Sequence, residues 1–227
     1  LSVQVHRDDA DARERAASSG QLGKSEAWYV LRAAPGARIV WGFERTASRS
    51  EVEAAARSGG LEPLLRSVPV VAGDVIYNPA GTVHALGAGL LVYEIQQSSD
   101  LTYRIYDYGR KDAEGREREL HLERALEVAR LEPGGEPKLE PNVLSETVAE
   151  LVRTPYFVTE RWTLSGSAPG ARDGGTLELW TLLEGEAVLE HGAAREGLGP
   201  LESLVLPAAM GAYRWQGEGV LLRSYLP

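Results

Sequence analysis

The chain has 227 residues, enough for one large or two small domains, and its 43% hydrophobic content allows a full core. Its 24 basic and 33 acidic side chains give a net charge of −9, which argues against nucleic acid or an anionic membrane surface as a partner. Without cysteine, the chain forms neither disulfides nor thiolate metal sites. It has no apolar run of about 18 residues and no signal-peptide pattern, so we expect a cytoplasmic protein.

Short strands and two helices, the second short one around residues 61–66, are predicted in the first third of the chain. Residues 1–6 alternate as a strand, with Gln4 and His6 on the same face. Residues 26–43 are typical of two strands around a Pro-Gly turn. Ser50 is followed three residues later by glutamate, and this capping-box spacing predicts a helix with Ser50 as its N-cap.

The most informative stretch of the sequence lies between residues 73 and 104. Two short apolar runs flank the tight turn Pro79–Gly81, and an imidazole, His84, stands just past the turn. Glu94 and Arg104 follow on the next predicted strands. This pattern indicates the inside of a small β-barrel with polar chemistry in its mouth.

Residues 156–227 are β-rich again. Apolar or alternating runs separated by glycines, among them Gly185, predict a second sandwich or barrel. The run that ends at Tyr213 echoes the Pro-Ala-Gly turn before His84, with a tyrosine near the place of the imidazole. We therefore expect no metal in the second barrel, and we expect His191 to be a surface loop residue.

Four residues could bind one cation. Gln4 and His6 share a strand face, Glu26 begins the next strand, and His84 follows the turn. Two imidazoles, one carboxylate and one carboxamide oxygen suit a borderline divalent ion, most often zinc. Taken singly, each residue is more often a hydrogen-bonded or exposed side chain, and spacing alone does not bring the four together.

The central stretch resembles a known family of enzymes. The spacing of Gly73, Pro79, Gly81 and His84 is similar to the second metal-binding motif of cupin barrels. The longer string through Arg104 resembles the type I mannose-6-phosphate isomerases in their shorter bacterial form. The resemblance extends to residues 1–6, 23–30, 106–110 and 118–123.

The resemblance implies a zinc site. In these isomerases a Gln, a His, a Glu and a second His bind the catalytic zinc, which implies that Gln4, His6, Glu26 and His84 hold one Zn²⁺ per chain. Arg7 stands where a proline commonly follows the first histidine. We expect this to be a change on the solvent side that leaves the site intact.

The implied reaction interconverts mannose 6-phosphate and fructose 6-phosphate through a cis-enediol, with a hexose 6-phosphate as the small-molecule partner. Glu94 is the first candidate for the base, although it could instead pair with Arg104 or orient a ligand. Arg104 aligns with an arginine regarded as catalytic in the family. Lys24 stands beside a candidate ligand and could handle substrate or protons, or could be a solvated loop lysine.

The predicted fold is mainly β, with two cupin-like jelly-roll barrels and a few short helices packed outside the first. The resemblance implies that the first strands of the catalytic barrel precede Leu1, so the chain is expected to be truncated or an unusual short form. The expected domains are a metal-binding catalytic cupin barrel over 1–110 with a helical insertion at about 48–66, a connecting segment over 111–154, and a metal-free cupin-like barrel over 155–227.

Two other classes of function remain open at the level of the sequence. One is another cupin metalloenzyme, such as an iron dioxygenase, which would also use His and Glu. The other is a sugar-binding or regulatory cupin without catalysis. The Gln-x-His pair, the distant Glu26 and the string around Arg104 favour the isomerase.

Overall fold

The structure of the protein is a computed structural model that describes residues 1–16, 22–171 and 175–227. Antiparallel strands dominate the described chain, so the predicted mainly β fold is confirmed. The chain divides into two compact units, Leu1–Leu139 and Glu140–Pro227. The segment 111–154, for which the sequence predicts a connection, is therefore shared between both units.

The N-terminal unit contains nine described strands, three α-helices and a 3₁₀ turn at Glu62–Leu64. The strands are β1 (Val3–Val5), β2 (Glu26–Ala33), β3 (Arg38–Phe43), β4 (Leu65–Pro69), β5 (Val75–Asn78), β6 (His84–Leu86), β7 (Leu90–Gln96), β8 (Tyr103–Tyr106) and β9 (Lys138–Leu139). The helices are α1 (Asp9–Ala16), α2 (Arg49–Ser58) and α3 (Leu122–Val128).

These strands form two antiparallel sheets that face each other. The five-stranded sheet has the order β4-β3-β6-β1-β8, and the four-stranded sheet has the order β7-β2-β5-β9. Trp28 and Ile76 of the smaller sheet share one buried cluster with Ile39 and Trp41 of the larger sheet. Because this apolar cluster occupies only part of the space between the sheets, the polar residues on the same faces meet beside it.

A second core lies on the other face of the five-stranded sheet. Val3, Val5 and Ile105 point to that face and pack with Val52 of α2 and Ala125 of α3. Neighbouring residues of a strand project to opposite faces, so Val3 and Val5 of β1 face this second core while Gln4 between them faces the other sheet. The helices thus cover the outer face of the sheet, while Gln4 is directed between the sheets.

Helix α2 begins two residues earlier than the sequence pattern predicts. Its N-cap is Ser48, whose side chain accepts a hydrogen bond from the Glu51 N–H, so the prediction of Ser50 as N-cap is wrong. Both serines have a glutamate three residues later, and the pattern alone does not separate them. The helix ends at Gly59, which adopts φ of 78° as a left-handed C-cap.

The C-terminal unit is built from seven described strands. They are β10 (Asn142–Val143), β11 (Val148–Arg153), β12 (Val158–Ala171), β13 (Glu178–His191), β14 (Ala194–Leu198), β15 (Ser203–Leu206) and β16 (Ala212–Tyr225). Six of them form a sheet in the order β10-β11-β12-β16-β13-β14, and β15 pairs with β13.

Gly185 lies inside one long strand, so the prediction that it separates two strands is wrong. The register of β13 against β16 shifts between Leu182 and Glu184, immediately before this glycine. A β-carbon on Gly185 would lie 2.0 Å from the Glu218 carbonyl oxygen. Glycine is therefore needed here for a close approach of two backbones at a strand irregularity.

No helix in the described part of the chain is both long enough and apolar enough to span a membrane.

Candidate metal centre

Cross-strand register places the candidate residues of the five-stranded sheet in one row. His84 of β6 lies opposite Gln4 of β1, and Gln4 lies opposite Arg104 of β8. Residues directly opposite each other on antiparallel strands project to the same face of a sheet. Trp41, which lies opposite His84 on β3, belongs to the core between the sheets, so this face is the inner one.

A second row crosses the four-stranded sheet. Glu26 of β2 lies opposite Gln96 of β7 on one side and opposite Asn78 of β5 on the other. Trp28, two residues after Glu26, is buried between the sheets, so Glu26 also points inward. The two rows bring residues distant in sequence together, which spacing alone could not do.

Three side chains converge on one point. The ligand atoms of His6, Glu26 and His84 all lie within 4.8 Å of one another, and all three side chains are buried. His6 Nε2 is 3.3 Å from one Glu26 oxygen, and His84 Nε2 is 3.2 Å from the other. Gln4 Nε2 lies 3.3 Å from His84 Nε2, and a half-turn of its amide presents Oε1 at that place.

Both histidines are oriented by backbone carbonyl groups. His84 Nδ1 donates to the Thr82 oxygen at 2.8 Å, and His6 Nδ1 donates to the Leu101 oxygen at 3.1 Å. With the proton on Nδ1, the lone pair of each Nε2 faces the cluster. Histidines that bind metals in proteins are held in this way by a second partner. Because these acceptors are backbone atoms, no side-chain pattern in the sequence indicates them.

Glu26 is a buried anion surrounded by positive and neutral donors. Lys24 Nζ lies 2.8 Å from Glu26 Oε2, and Lys24 itself is only 7% exposed. The alternative of a solvated loop lysine is therefore wrong. Burial raises the pKa of Glu26, but the electrostatic effect of the neighbouring His84 and His6 outweighs it and lowers the pKa, so the carboxylate is ionised. Burial lowers the pKa of His6, which favours its neutral, metal-binding form.

The donor set fits a divalent cation. Apart from the ion pair between Oε2 and Lys24, neither carboxylate oxygen of Glu26 makes a hydrogen bond of normal geometry to any residue that the structure describes, although both are completely buried. An anion in such surroundings requires a cation or several donors. Two imidazole nitrogens, a carboxylate and a carboxamide are donors that suit a divalent cation of borderline character.

Glu94 lies beside this cluster on β7. Its Oε2 accepts a hydrogen bond from the Trp28 indole N–H at 3.0 Å, and Lys24 Nζ is 3.8 Å from its Oε1. Burial and repulsion by Glu26 raise the pKa of Glu94, while Lys24 partly offsets this increase. Trp28, which is buried in the apolar cluster between the sheets, thus has a polar contact to this carboxylate as well.

Arg104 reaches the site from the opposite sheet. Its Nη1 donates to the Glu119 carbonyl oxygen at 2.9 Å, and its backbone N–H donates to His121 Nδ1 at 3.1 Å. The Arg104 Nε atom is buried and has no hydrogen-bond partner in the described part of the chain. Glu94 accepts its hydrogen bond from Trp28 and lies near Lys24, so the predicted alternative of a pair with Arg104 is not seen among the described residues.

Arg7 does not lie on the solvent side as predicted, since it is only 4% exposed. His6 directly follows β1, and its carbonyl oxygen accepts a hydrogen bond from the Gly81 N–H at 2.8 Å. The position after His6 is therefore enclosed. A residue that differs from the family pattern at one position does not show whether its side chain is enclosed or exposed.

The C-terminal unit has a buried polar cluster of another kind. Glu178 is completely buried and accepts hydrogen bonds from the Trp180 indole and the Tyr213 hydroxyl, both at 2.7 Å. The guanidinium group of Arg223 donates to the same carboxylate. Arg223 also lies against the rings of Trp162, Trp180 and Tyr225. Tyr213, near the predicted place of a histidine, is thus a hydrogen-bond donor to a carboxylate.

Comparisons with known proteins agree with this architecture. Residues 147–226 match the family model described as mannose-6-phosphate isomerase, cupin domain. The mannose-6-phosphate isomerase of Streptococcus mutans is 38% identical over 229 residues, which cover 99% of this chain and 70% of that protein. The Bacillus subtilis enzyme is 38% identical over 231 residues, covering 100% and 71% of the two chains.

A solved structure gives the same result. The crystal structure of mannose 6-phosphate isomerase from Bacillus subtilis superposes with a TM-score of 0.87 at 35% sequence identity. The match covers 98% of this chain and 70% of that one. The similarity therefore extends through both units, including the strands that carry the candidate metal ligands. This chain belongs to the mannose-6-phosphate isomerase family.

Proposed function

We propose that this protein interconverts mannose 6-phosphate and fructose 6-phosphate in a reaction that requires a divalent metal ion. The observation that carries the proposal is the convergence of His6, Glu26 and His84, with both histidines oriented by backbone carbonyl groups. The names of the related enzymes from Streptococcus mutans and Bacillus subtilis supply the substrate pair.

The metal would be held by Gln4, His6, Glu26 and His84, and zinc is the ion that this donor set fits best. When bound, the ion acts as a Lewis acid for the charge that develops on the substrate oxygens at C1 and C2. The net charge of −9 does not attract a sugar phosphate, so local cations have to hold the substrate.

Glu94 is suited to move the proton between C1 and C2. Proton transfer to and from carbon through a cis-enediol needs a base whose pKa lies closer to neutrality than that of an exposed carboxylate. The pKa of Glu94 is raised by burial and by Glu26, and the Trp28 indole fixes one of its oxygens. The other oxygen is 3.8 Å from Lys24 and is available to a substrate.

Arg104 is suited to stabilise negative charge on the opposite side of the reacting carbons. Glu119 and His121 hold its guanidinium and backbone, while the buried Nε–H lacks a partner in the described part of the chain. A preorganised donor of this kind stabilises developing charge without rearrangement. Lys24, at 2.8 Å from Glu26, keeps the ligand carboxylate ionised and adds positive charge beside Glu94.

A coupled assay of mannose 6-phosphate conversion tests the proposal. We expect turnover that a chelator abolishes and that added zinc restores. Arg104→Lys keeps the charge but loses the planar fork, so turnover should fall by about 10–1000-fold with the metal still bound. Binding of sugar phosphate without conversion, with zinc supplied, would instead indicate a sugar-binding cupin. Full activity of Arg104→Lys would make Arg104 a structural residue.

A further inference from the structure

One buried polar side chain beside the candidate metal centre has no part in the mechanism above. Asn78 ends strand β5 directly opposite Glu26 on β2, so both side chains project between the sheets. It is only 1% exposed. Its Oδ1 and its Nδ2 both lack a hydrogen-bond partner within residues 1–16, 22–171 and 175–227. The carboxamide is therefore buried with all of its hydrogen-bonding capacity unused.

A neighbouring carboxamide shows how a structural amide is treated in the same sheet. Gln97 is 8% exposed, and its Oε1 accepts from the Ser25 N–H at 2.8 Å. Its Nε2 donates to Asp9 Oδ1 at 3.2 Å. Buried polar groups are nearly always satisfied in this way, because an unsatisfied one destabilises the fold. Asn78 departs from this rule next to the candidate metal ligands, which indicates that a ligand supplies its partner.

Two other residues that face the space between the sheets also have buried atoms without a hydrogen-bond partner in the described part of the chain. Both Glu26 oxygens and the Arg104 Nε lack hydrogen bonds of normal geometry to the described residues. Arg104 is in the row of Gln4 and His84, and Asn78 is in the row of Glu26. Unused donors and acceptors from both sheets thus face one region. With Glu26 bound to the metal of the proposed function, a polyhydroxylated ligand there would satisfy Asn78 and Arg104 together.

We infer that Asn78 is a specificity-determining residue that binds a hydroxyl group of the open-chain sugar phosphate. The inference rests on the proposed function. A carboxamide offers donors and an acceptor, and a hydroxyl group is the complement because it both accepts and donates. A phosphate would leave Oδ1 without a donor, and a metal ion would leave the N–H groups without an acceptor. Asn78 therefore recognises the sugar part of the substrate.

The test uses Asn78→Leu in the full chain, with a hexitol 6-phosphate as the binding probe. This reduced sugar phosphate keeps the hydroxyls and the phosphate but has no carbonyl group to isomerise. We expect its affinity to fall by about tenfold in the variant, the effect of losing one hydrogen bond. Affinity for inorganic phosphate and zinc content should be unchanged. The KM for mannose 6-phosphate should rise more than kcat falls.

The melting temperature separates this role from a structural one. Asn78→Leu should melt at or above the parent temperature, since an apolar side chain removes the unsatisfied groups. Gln97→Leu should melt lower, because it leaves the buried Ser25 N–H without its acceptor and removes one of the donors to Asp9. Asn142→Leu, at the chain's other asparagine, which is exposed, controls for the substitution itself. Asn78→Val, smaller and suited to a strand, replaces the leucine variant if that does not fold.

Three outcomes would overturn the inference. Unchanged hexitol phosphate affinity in Asn78→Leu, with an active parent, would remove the role of Asn78 and leave the proposed function intact. Loss of zinc with unchanged probe affinity would make Asn78 a support of the metal centre. A parent that neither binds the probe nor converts mannose 6-phosphate would overturn both the inference and the proposed function.

Discussion

Replacing Lys24 by methionine should destabilise the metal-free protein far more than the metal-bound protein. Lys24 Nζ is 2.8 Å from Glu26, and the two side chains are 9% and 0% exposed. In the absence of metal, this lysine is the nearest fixed positive charge to a carboxylate that is completely buried. Methionine keeps the length and the apolar stem of the side chain and removes only the ammonium group.

The size of the expected loss in unfolding free energy depends on how deeply the ion pair is buried and not on the distance between its atoms. Removing one partner of a buried ion pair costs about 3–5 kcal/mol, because the remaining charge is left uncompensated. Lys138 and Asp74 form an ion pair of the same length, 2.8 Å, in the same unit, but their side chains are 32% and 17% exposed. Lys138→Met should therefore cost about 0–1 kcal/mol. The two variants form a matched pair.

Zinc should reverse much of the loss in Lys24→Met. A bound cation neutralises Glu26 in place of the ammonium group, so the free energy of unfolding of the variant approaches that of the parent when metal is present. The thermodynamic cycle then requires the variant to bind metal more tightly. Each 1.4 kcal/mol of difference between the metal-free and metal-bound losses corresponds to tenfold tighter binding.

Urea unfolding with chelator and with saturating zinc measures these quantities, using tryptophan fluorescence as the signal. Isothermal titration of the metal-free proteins with zinc closes the cycle. A loss below about 1 kcal/mol in the metal-free Lys24→Met variant would refute the reasoning. Equal losses of unfolding free energy with and without zinc would also refute it. They would show that the metal does not replace Lys24 in neutralising the Glu26 carboxylate.

The remaining predictions concern the ligands and the base. His84→Ala should abolish bound zinc in elemental analysis, whereas His191→Ala, at an exposed position, should retain it; equal zinc contents would contradict the assignment. Glu94→Gln should stabilise the metal-free fold at neutral pH, since a carboxyl group whose pKa is raised by folding costs stability once the pH exceeds its unfolded pKa. That gain should shrink as the pH falls through the unfolded pKa of Glu94 and disappear near about pH 3, where the carboxyl group is protonated in both states. A pH-independent gain in urea unfolding would refute the prediction.

Local sequence patterns predicted the strands of the fold well where burial and alternation coincide. The first strand, predicted over residues 1–6 and found at Val3–Val5, follows from alternation, and the turn before His84 follows from Pro and Gly at the corner. The position of the α2 N-cap and the continuity of β13 through Gly185 did not follow. Both depend on contacts with a partner segment, which a one-dimensional pattern does not contain.

The candidate site was only partly accessible from the sequence. Residue types and a family resemblance indicated the candidate ligands, but the meeting of Gln4, Glu26 and His84 depends on cross-strand register in two separate sheets. The orientation of the histidines depends on backbone carbonyl groups, and these carry no side-chain signal. Asn78 gave no signal because its significance lies in the bonds that it does not make.

Both units place a covalently attached cation against a buried carboxylate, but in the N-terminal unit Lys24 shares Glu26 with the two imidazoles of the candidate metal centre. Arg223 remains beside Glu178 whatever ions the solution contains, and aromatic rings enclose it. The stability of that half of the protein should therefore be independent of metal supply and of chelators. The charge balance of one half of the chain is thus fixed, whereas the charge balance of the other half depends on the metal ions in solution.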